Sequence, residues 1–179
     1  MLTGRDIKLF IAMSLDGYIA ASNDSIDFLS MVEEEGQDYG YTNFMNGVDT
    51  VVMGRKTYDK VLSMGIAFPH PDKTTYVVTR KPRPDIGNVK FYAMDPIKLV
   101  QELKSSEGKD VFVDGGAMLV NTLLKHNLID TFCISIIPVL LGGGLRLFEN
   151  GLPELPLKLV EAISFDKGLV QLRYARIGK

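Results

Sequence analysis

The sequence predicts an α/β fold, in which one mixed sheet of about eight strands, mainly parallel, carries helices on both faces. Two observations lead to this prediction. Up to residue 128, short apolar segments alternate with segments whose apolar residues recur at helical spacing, as is typical of right-handed parallel crossovers. The chain then closes with two strand-like segments around residues 166–168, which indicates a C-terminal antiparallel hairpin. The length of 179 residues suits one domain, residues 1–179.

Eight segments fit β-strands. Residues 7–13 are nearly all apolar, as expected for a central strand that is covered on both faces. The apolar run 131–141 contains a single proline and is predicted to form one long strand. The other predicted strands are residues 50–53, 75–79, 90–93, 111–113, 157–164 and 169–175.

Four segments between these strands fit helices. Asp95 followed by Pro96 is a typical helix start, since the carboxylate can cap the helix and proline suits its first position. The predicted helices are residues 37–46, 54–62, 96–105 and 117–124.

Composition argues against several classes of protein. The formal net charge of -2 gives no basic surface for nucleic acid or acidic membranes, and no apolar run approaches the roughly 20 residues of a membrane span. The single cysteine, Cys133, lies in an apolar run, so we expect a buried, inert thiol and a cytoplasmic protein. His70 and His126 are isolated, and no metal site is predicted.

Glycine-bearing turns follow three of the predicted strands, at Asp16-Gly17, Gly54-Arg55 and Asp114-Gly115-Gly116. In open α/β sheets, ligands bind beyond the carboxyl ends of the strands. Glycine lets a ligand approach the main chain, and a helix start offers unpaired N–H groups to a phosphate. On its own, the Gly115-Gly116 pair is better explained by a tight strand-to-helix turn. No turn follows the G-x-G-x-x-G fingerprint, so an ordinary Rossmann site is not predicted.

The segment Gly54-Arg55-Lys56-Thr57 carries a stronger functional signal. Its two cations would stand at a helix N-terminus, where they oppose the helix dipole. A structural preference therefore does not explain them. Backbone donors, a guanidinium group and a hydroxyl are the groups that phosphate binding requires.

Four pieces of sequence occur in an order that resembles a known superfamily. They are Met13–Ala20, Val52–Tyr58, Val113–Leu119, and Leu128–Asp130 continuing through Pro138–Gly144 to Leu147–Phe148. Together they resemble the dihydrofolate reductase superfamily, and most closely the reductase (RibD C-terminal) domain of bacterial riboflavin biosynthesis and its stand-alone relatives. The resemblance spans nearly the whole chain and implies a dihydrofolate reductase-like three-layer sandwich.

The resemblance also implies an activity. It is an NADPH-dependent transfer of a hydride to a pyrimidine- or pterin-like heterocycle, most similar to that of 5-amino-6-(5-phosphoribosylamino)uracil reductase. A homodimer is expected mainly from the family and weakly from the apolar run of residues 134–141.

By position, the resemblance places NADPH across the carboxyl edge of the sheet, often with a cis Gly-Gly bond beneath it. Arg55 with Arg80 would favour NADPH over NADH. The implied contacts are Gly54, Arg55, Lys56 and Thr57 for the pyrophosphate and the adenosine-side phosphate, Thr79 and Arg80 for the adenosine ribose, Gly115, Gly116, Ala117 and Met118 for the other side of the pyrophosphate, and Ala12 and Ile19 for the nicotinamide.

Reduction also needs a proton at the heteroatom next to the carbon that accepts the hydride, and a partly desolvated carboxyl group can relay it. Asp114 is the first candidate, because riboflavin-type reductases carry a substrate-facing acidic residue at this position. Asp38 is the second, since it precedes Gly54 by sixteen positions, about the interval in folate reductases; locally, however, a carboxylate in a first helical turn more simply complements the dipole. Asp16 and Ser135 are predicted on the substrate side, although Ser135 fits a core hydroxyl equally well.

Residues 62–72 depart from the family pattern, because they lack the arginine-bearing motif with which riboflavin reductases grip the ribose phosphate of their substrate. The substrate is therefore left open. Dihydrofolate reductase-type activity, a non-catalytic NADPH- or nucleotide-binding module, and a scaffold with relic phosphate turns remain alternatives.

Overall fold

The computed structural model describes residues 4–178 and has the predicted α/β fold. The strands are β1 (Ile7–Ser14), β2 (Tyr18–Ala20), β3 (Val48–Gly54), β4 (Thr74–Val78), β5 (Val89–Tyr92), β6 (Asp110–Val113), β7 (Thr131–Ile137), β8 (Leu145–Arg146), β9 (Leu157–Ser164) and β10 (Val170–Arg176). The α-helices are α1 (Tyr41–Asn46), α2 (Arg55–Ser63), α3 (Pro96–Ser105) and α4 (Ala117–Lys125), and short 3₁₀ helices span Asp27–Val32 and Asp166–Gly168.

One eight-stranded mixed sheet has the order β5-β4-β3-β6-β1-β7-β10-β9. The first six strands in this order run parallel, as crossover connections require. Strand β10 lies antiparallel to both β7 and β9, which confirms the predicted C-terminal hairpin. The carboxyl ends of the parallel strands consequently share one edge, called the carboxyl edge below.

Helices cover both faces of the sheet and give the predicted three-layer sandwich. Because side chains alternate along a strand, Ile7 and Leu9 of β1 pack in the cluster that contains the buried residues of α3 and α4. Phe10 points to the opposite face, where the cluster includes side chains from α1 and α2. A third cluster joins the 3₁₀ helix at residues 27–32 to the end of β7.

Two predicted elements differ from the structure by four residues at one end, and the others by at most two. The helix predicted over residues 37–46 begins only at Tyr41, because Tyr39 (φ 53°) and Gly40 (φ 79°) have left-handed backbone conformations that end any helical run. The strand predicted over residues 131–141 ends at Ile137, because Pro138 has no N–H group to donate to a neighbouring strand.

A buried carboxylate joins three elements at the opposite, amino edge of the sheet. Asp130 is 1% exposed, and its oxygens accept hydrogen bonds from the backbone of Ile7 at 3.0 Å and from Lys104 of α3 at 2.6 Å. Arg176 of β10 also donates to it, at 3.0 Å. Cys133 is buried in β7, where loss of solvent raises the pKa of its thiol. Within residues 4–178, no helix has the length and apolar character needed to span a bilayer.

Candidate functional site

The ends of β3 and β6 are joined by direct backbone contacts at the carboxyl edge. The N–H of Gly54 donates to the carbonyl of Gly115 at 2.8 Å, and the N–H of Asp114 donates to Val52 at 3.0 Å. The peptide bond between Gly115 and Gly116 is cis, as expected from the resemblance. Two of the three glycine turns therefore form one continuous surface.

The two turns approach so closely that a side chain on Gly116 would crowd the facing turn. A Cβ atom on Gly116 would lie 3.1 Å from Oγ1 of Thr57, whereas one on Gly54 would lie at an ordinary contact distance of 3.5 Å from the nitrogen of Gly116. Gly115 has a φ of +90°, a conformation that favours glycine. Glycine at these positions keeps a narrow cradle between the first turns of α2 and α4.

The helix starts on either side of this cradle have no side-chain cap. Neither Gly54 before α2 nor Gly116 before α4 supplies a capping group, and no described residue caps their first-turn N–H groups with a side chain. By contrast, the Asp95 carboxylate caps α3 by accepting from the N–H of Ile97 at 2.9 Å. Uncapped helix starts offer N–H donors and a partial positive charge to an anion.

Cations lie beside the start of α2. Arg55 pairs with Asp59 one turn later, and Arg83 approaches the same carboxylate at 3.6 Å. Lys56 and Arg80 are exposed and form no ion pair with the residues that the structure describes. Thr79 is buried, and its hydroxyl accepts from the N–H of Lys81 at 3.2 Å, so it fixes the turn at the end of β4.

The third turn is joined to the glycine loop of residues 142–144. The Asp16 carboxylate accepts from the Ser14 hydroxyl at 2.6 Å and from the N–H groups of Leu141 at 3.1 Å and Gly142 at 2.7 Å. The Ser14 hydrogen bond, which favours the ionised form, contributes most to lowering the pKa of Asp16 to about 2. Both oxygens of Asp16 are thus engaged in holding two loops together.

Asp114, the first catalytic candidate, pairs with a histidine that the sequence reasoning treated as isolated. Nε2 of His70 lies 3.1 Å from Oδ2 of Asp114. The His70 side chain is 1% exposed and that of Asp114 is 25% exposed. Oδ1 of Asp114 accepts no hydrogen bond from the described residues. The carboxylate therefore has one oxygen held from inside the protein and one that a ligand can reach.

Tyr41 is a further polar group close enough to Asp114 to feel its charge, and the sequence reasoning did not consider it for the site. Burial raises the pKa of its hydroxyl, and the negative charge of Asp114 raises it further. Its ring packs edge-on against Phe10 and Phe112 of the neighbouring strands. Tyr41 therefore presents a protonated hydroxyl near Asp114 at neutral pH.

Asp38, the second candidate, lies in the loop before α1 and is exposed. Its carboxylate accepts from the N–H groups of Gly40 and Thr42, each at 2.9 Å. Hydrogen bonds from Thr42, followed by that from Gly40, lower its pKa. This arrangement corresponds to the capping role considered above for a carboxylate at this helix start.

The remaining predicted residues are distributed around the carboxyl edge. Ala12 packs in the third cluster, whereas Ile19 of β2 packs against the cluster on the α3–α4 face. Met118 is 61% exposed on the first turn of α4. Ser135 is buried, and its hydroxyl accepts from the side chain of Gln171 at 3.2 Å, so it is a core hydroxyl bonded to a side chain.

One cleft lies beside Tyr41, and another lies at the opposite edge of the sheet. A cleft of about 230 Å³ lies between α1 and residues 69–73 and is lined by Tyr41. A larger one, of about 350 Å³, includes Arg5, Thr50 and Ser106 near the amino edge, away from the glycine turns. The described residues contain no group of three or more potential ligands that could hold a metal ion.

Known proteins are similar to this chain in sequence and in fold. The family model of the RibD C-terminal domain matches residues 5–171. Two uncharacterized proteins of Bacillus subtilis (strain 168) align over nearly their full length: YwjB, 42% identical over 96% of this chain and 98% of its own, and YyaP, 35% identical over 97% and 96%.

Solved structures extend the likeness. A protein from Shewanella sp. PV-4, described as a candidate riboflavin biosynthesis protein, has a TM-score of 0.87 and 30% identity, with 97% of this chain and 99% of that chain covered. The Thermotoga maritima deaminase/5-amino-6-(5-phosphoribosylamino)uracil reductase has a TM-score of 0.71 and 17% identity, and the match covers 97% of this chain but only 57% of that one. Enterococcus faecalis dihydrofolate reductase, solved with NADP(H), has a TM-score of 0.67 and 16% identity over 97% of both chains. The last two share the fold.

Proposed function

The chain belongs to the RibD C-terminal domain family, and from this membership we propose that it is an NADPH-dependent reductase that transfers a hydride to a pyrimidine- or pterin-like heterocycle. The single observation that carries the proposal is the pair of uncapped helix starts, α2 and α4, which share one glycine cradle. A pyrophosphate is the ligand that such a cradle fits, because it needs several N–H donors converging from two sides.

The residues that would hold the cofactor divide into three groups. The N–H groups of residues 55–57 and 116–118 would bind the pyrophosphate. Lys56 and Arg80 would bind the phosphate that distinguishes NADPH from NADH, since Arg55 is already paired with Asp59. Ala12 and Ile19 remain the residues proposed beside the nicotinamide. When bound, NADPH supplies the hydride.

Asp114 is the residue that we propose to act on the substrate. Its free Oδ1 would accept a hydrogen bond from the heterocycle, and after taking up a proton from water it would pass that proton to the heteroatom next to the carbon that accepts the hydride. The role belongs to this residue ahead of Asp38, whose carboxylate is occupied by two backbone N–H groups. Asp16 would border the substrate through the two loops that it holds together, and Ser135 through the strand β7 in which it lies.

The first candidate substrate is 5-amino-6-(5-phosphoribosylamino)uracil, and dihydrofolate is the second. A non-catalytic NADPH-binding module is the alternative from another class. It would bind the cofactor through the same cradle and leave Asp114 without a chemical role.

The test has a binding part and a turnover part. Calorimetry with NADPH and NADH should show binding with a preference for NADPH, and absence of NADPH binding at millimolar ligand would overturn the proposal. NADPH oxidation should then be followed with the uracil compound and with dihydrofolate. Binding without oxidation in either case would favour the non-catalytic module.

Two isosteric variants compare the carboxylates. Asp114→Asn should lower kcat by roughly a hundredfold, the usual contribution of a proton-transfer group, while the affinity for NADPH stays the same. Asp38→Asn should change kcat by less than about threefold, since we assign Asp38 to capping. A large loss in Asp38→Asn alone would transfer the catalytic role to Asp38.

The homodimer and the cytoplasmic location stay predictions. Of the run first considered for the interface, Ile134 and Ile137 of β7 are buried within the subunit, whereas Leu140 beyond the strand is 69% exposed. The sheet's terminal strand β9 also exposes Leu159 and Val160, which are 51% and 64% accessible, and open apolar strands favour pairing between chains. Sedimentation that shows a monomer at micromolar concentration would contradict the homodimer.

A further inference from the structure

The segment between α2 and β4 holds His70 in a fixed position. Pro69 and Pro71 flank it, and proline restricts both its own φ and the conformation of the preceding residue. The carbonyl of His70 accepts from the N–H of Lys73 at 3.2 Å, and the carbonyl of Pro71 accepts from the side chain of Asn88 at 2.8 Å. The backbone of His70 is therefore held on both sides.

Its ring is held as firmly as its backbone. The imidazole packs edge-on against the rings of Phe68 and Phe112, with centroid distances of 5.6 Å and 6.0 Å. Because the ring is 1% exposed and fills an aromatic site, few other rotamers are open to it. Nε2 faces Oδ2 of Asp114 at 3.1 Å, and an ionised carboxylate can only accept, so Nε2 carries the hydrogen.

The surroundings of Nδ1, the other ring nitrogen of His70, indicate whether it carries a hydrogen. Nδ1 is buried and has no hydrogen-bond partner among the described residues. In the neutral Nε2–H form this nitrogen is a lone pair, whereas in the charged form it would be a buried N–H donor without an acceptor. The neutral ring with the hydrogen on Nε2 fits the site.

We propose that His70 is a positioning residue for the reduction, which fixes the rotamer of Asp114 by donating from Nε2 to Oδ2 and so presents Oδ1 to the heterocycle. This inference rests on the proposed function. His70 is too deeply buried to touch the substrate or the cofactor, so it acts through Asp114. A carboxylate without this partner could rotate, and small misplacements of catalytic groups cost up to roughly a hundredfold in rate.

Nuclear magnetic resonance tests the contact without any substrate. The chain has only two histidines, so long-range proton–nitrogen spectra of the wild type and of His126→Gln assign both rings. His70 should occupy the Nε2–H tautomer alone, and Asp114→Ala should convert it to a mixture while His126, which is exposed, stays unchanged. An Nδ1–H tautomer of His70, or no response to Asp114→Ala, would overturn the inference.

Kinetics separate a positioning role from a purely structural one. His70→Leu removes the donor, and kcat should fall at least tenfold with little change in the KM for NADPH. His70→Gln places an amide N–H near the former Nε2 and should recover kcat to within about threefold of the wild type. His126→Gln should leave kcat unchanged, and the unfolding midpoint of each variant shows whether it is folded.

The outcomes distinguish this inference from the proposed function. Wild-type protein that neither binds NADPH nor oxidises it refutes the function, and with it the positioning role. Turnover that depends on Asp114 but is the same in His70→Leu as in the wild type refutes the positioning role alone. If His70→Gln and His70→Leu lose kcat equally while both stay folded, the donated hydrogen bond is not the reason for the loss, and the inference also fails.

Discussion

Replacing Gly116 by alanine should weaken NADPH binding much more than it weakens the fold. The φ of Gly116 is -82°, an ordinary value for any residue, so the substitution introduces no backbone strain. The added Cβ would lie 3.1 Å from Oγ1 of Thr57, a contact that a shift of a few tenths of an ångström relieves. We therefore expect a loss of unfolding free energy below about 1 kcal/mol, the low end of overpacking costs.

The binding cost should be larger because the methyl group lies between the two helix starts. A pyrophosphate held by N–H groups from both sides would have to move away from at least one of them. Loss of one charge-assisted hydrogen bond is worth about 1.5–3 kcal/mol, so the dissociation constant for NADPH should rise by more than about tenfold. Calorimetry measures this rise, and urea unfolding measures the stability of the same preparation.

Gly47→Ala is the matched control. Gly47 has a φ of -84°, and a Cβ there would lie 3.5 Å from the nearest atom, the carbonyl oxygen of Phe44, before the start of β3. This variant should bind NADPH as the wild type does. If Gly116→Ala also bound NADPH with unchanged affinity while remaining folded, the cofactor would not lie between α2 and α4, and the reasoning that led to the reductase would fail.

Other consequences of the structure can be measured without a ligand. Asp130→Ala should lower the unfolding free energy by roughly 3–5 kcal/mol, because it leaves two cations and a backbone N–H without their buried acceptor. The control, Glu149→Ala, breaks an exposed pair with Lys125 and should lower the unfolding free energy by less than about 1 kcal/mol. The pKa of Asp16 is lowered to about 2 in the folded protein, so its stabilising effect is present above the unfolded value near pH ~4 and is lost as the pH falls toward 2. Urea unfolding at several pH values should accordingly show that Asp16→Asn is less stable than the wild type at neutral pH, and that the difference shrinks through this acidic window; a constant difference would contradict the assignment.

The positions of the eight main strands and of the glycine turns along the chain were predictable because local sequence determines them. An apolar run such as residues 7–13 specifies a buried strand without knowledge of its neighbours. The turns at Gly54 and Gly115 are marked by a residue type that few other roles require. Parallel crossovers then bring the turns to one edge, whatever the lengths of the intervening loops.

The errors have the opposite cause, since they depend on single backbone conformations or on distant partners. The left-handed conformation of Tyr39 cannot be read from an otherwise helical pattern, and it changes Asp38 from a helical residue into a capping one. Strand β7 ends where Pro138 interrupts the pairing, a signal that was present in the sequence but outweighed by the apolar run.

His70 lies 44 residues from Asp114 in the chain, and no spacing rule connects them. The available signal was the pair of prolines around the histidine, because proline restricts the backbone on both sides of it. Sequence alone could indicate that His70 was held, but not what it was held against.

The two halves of the proposed site therefore differ in how strongly sequence specifies them. The proposed cofactor half consists of backbone N–H groups at two helix starts, so it would need glycine at a few positions and would tolerate variation elsewhere. The proposed substrate half depends on the side chains of Asp114, His70 and Tyr41, which come from three separate segments. We expect a change in any one of these side chains to alter the reaction more than the fold. Family membership consequently supports the cofactor more directly than the substrate, and substrate choice in this family is expected to follow the residues that surround the acidic side chain after β6.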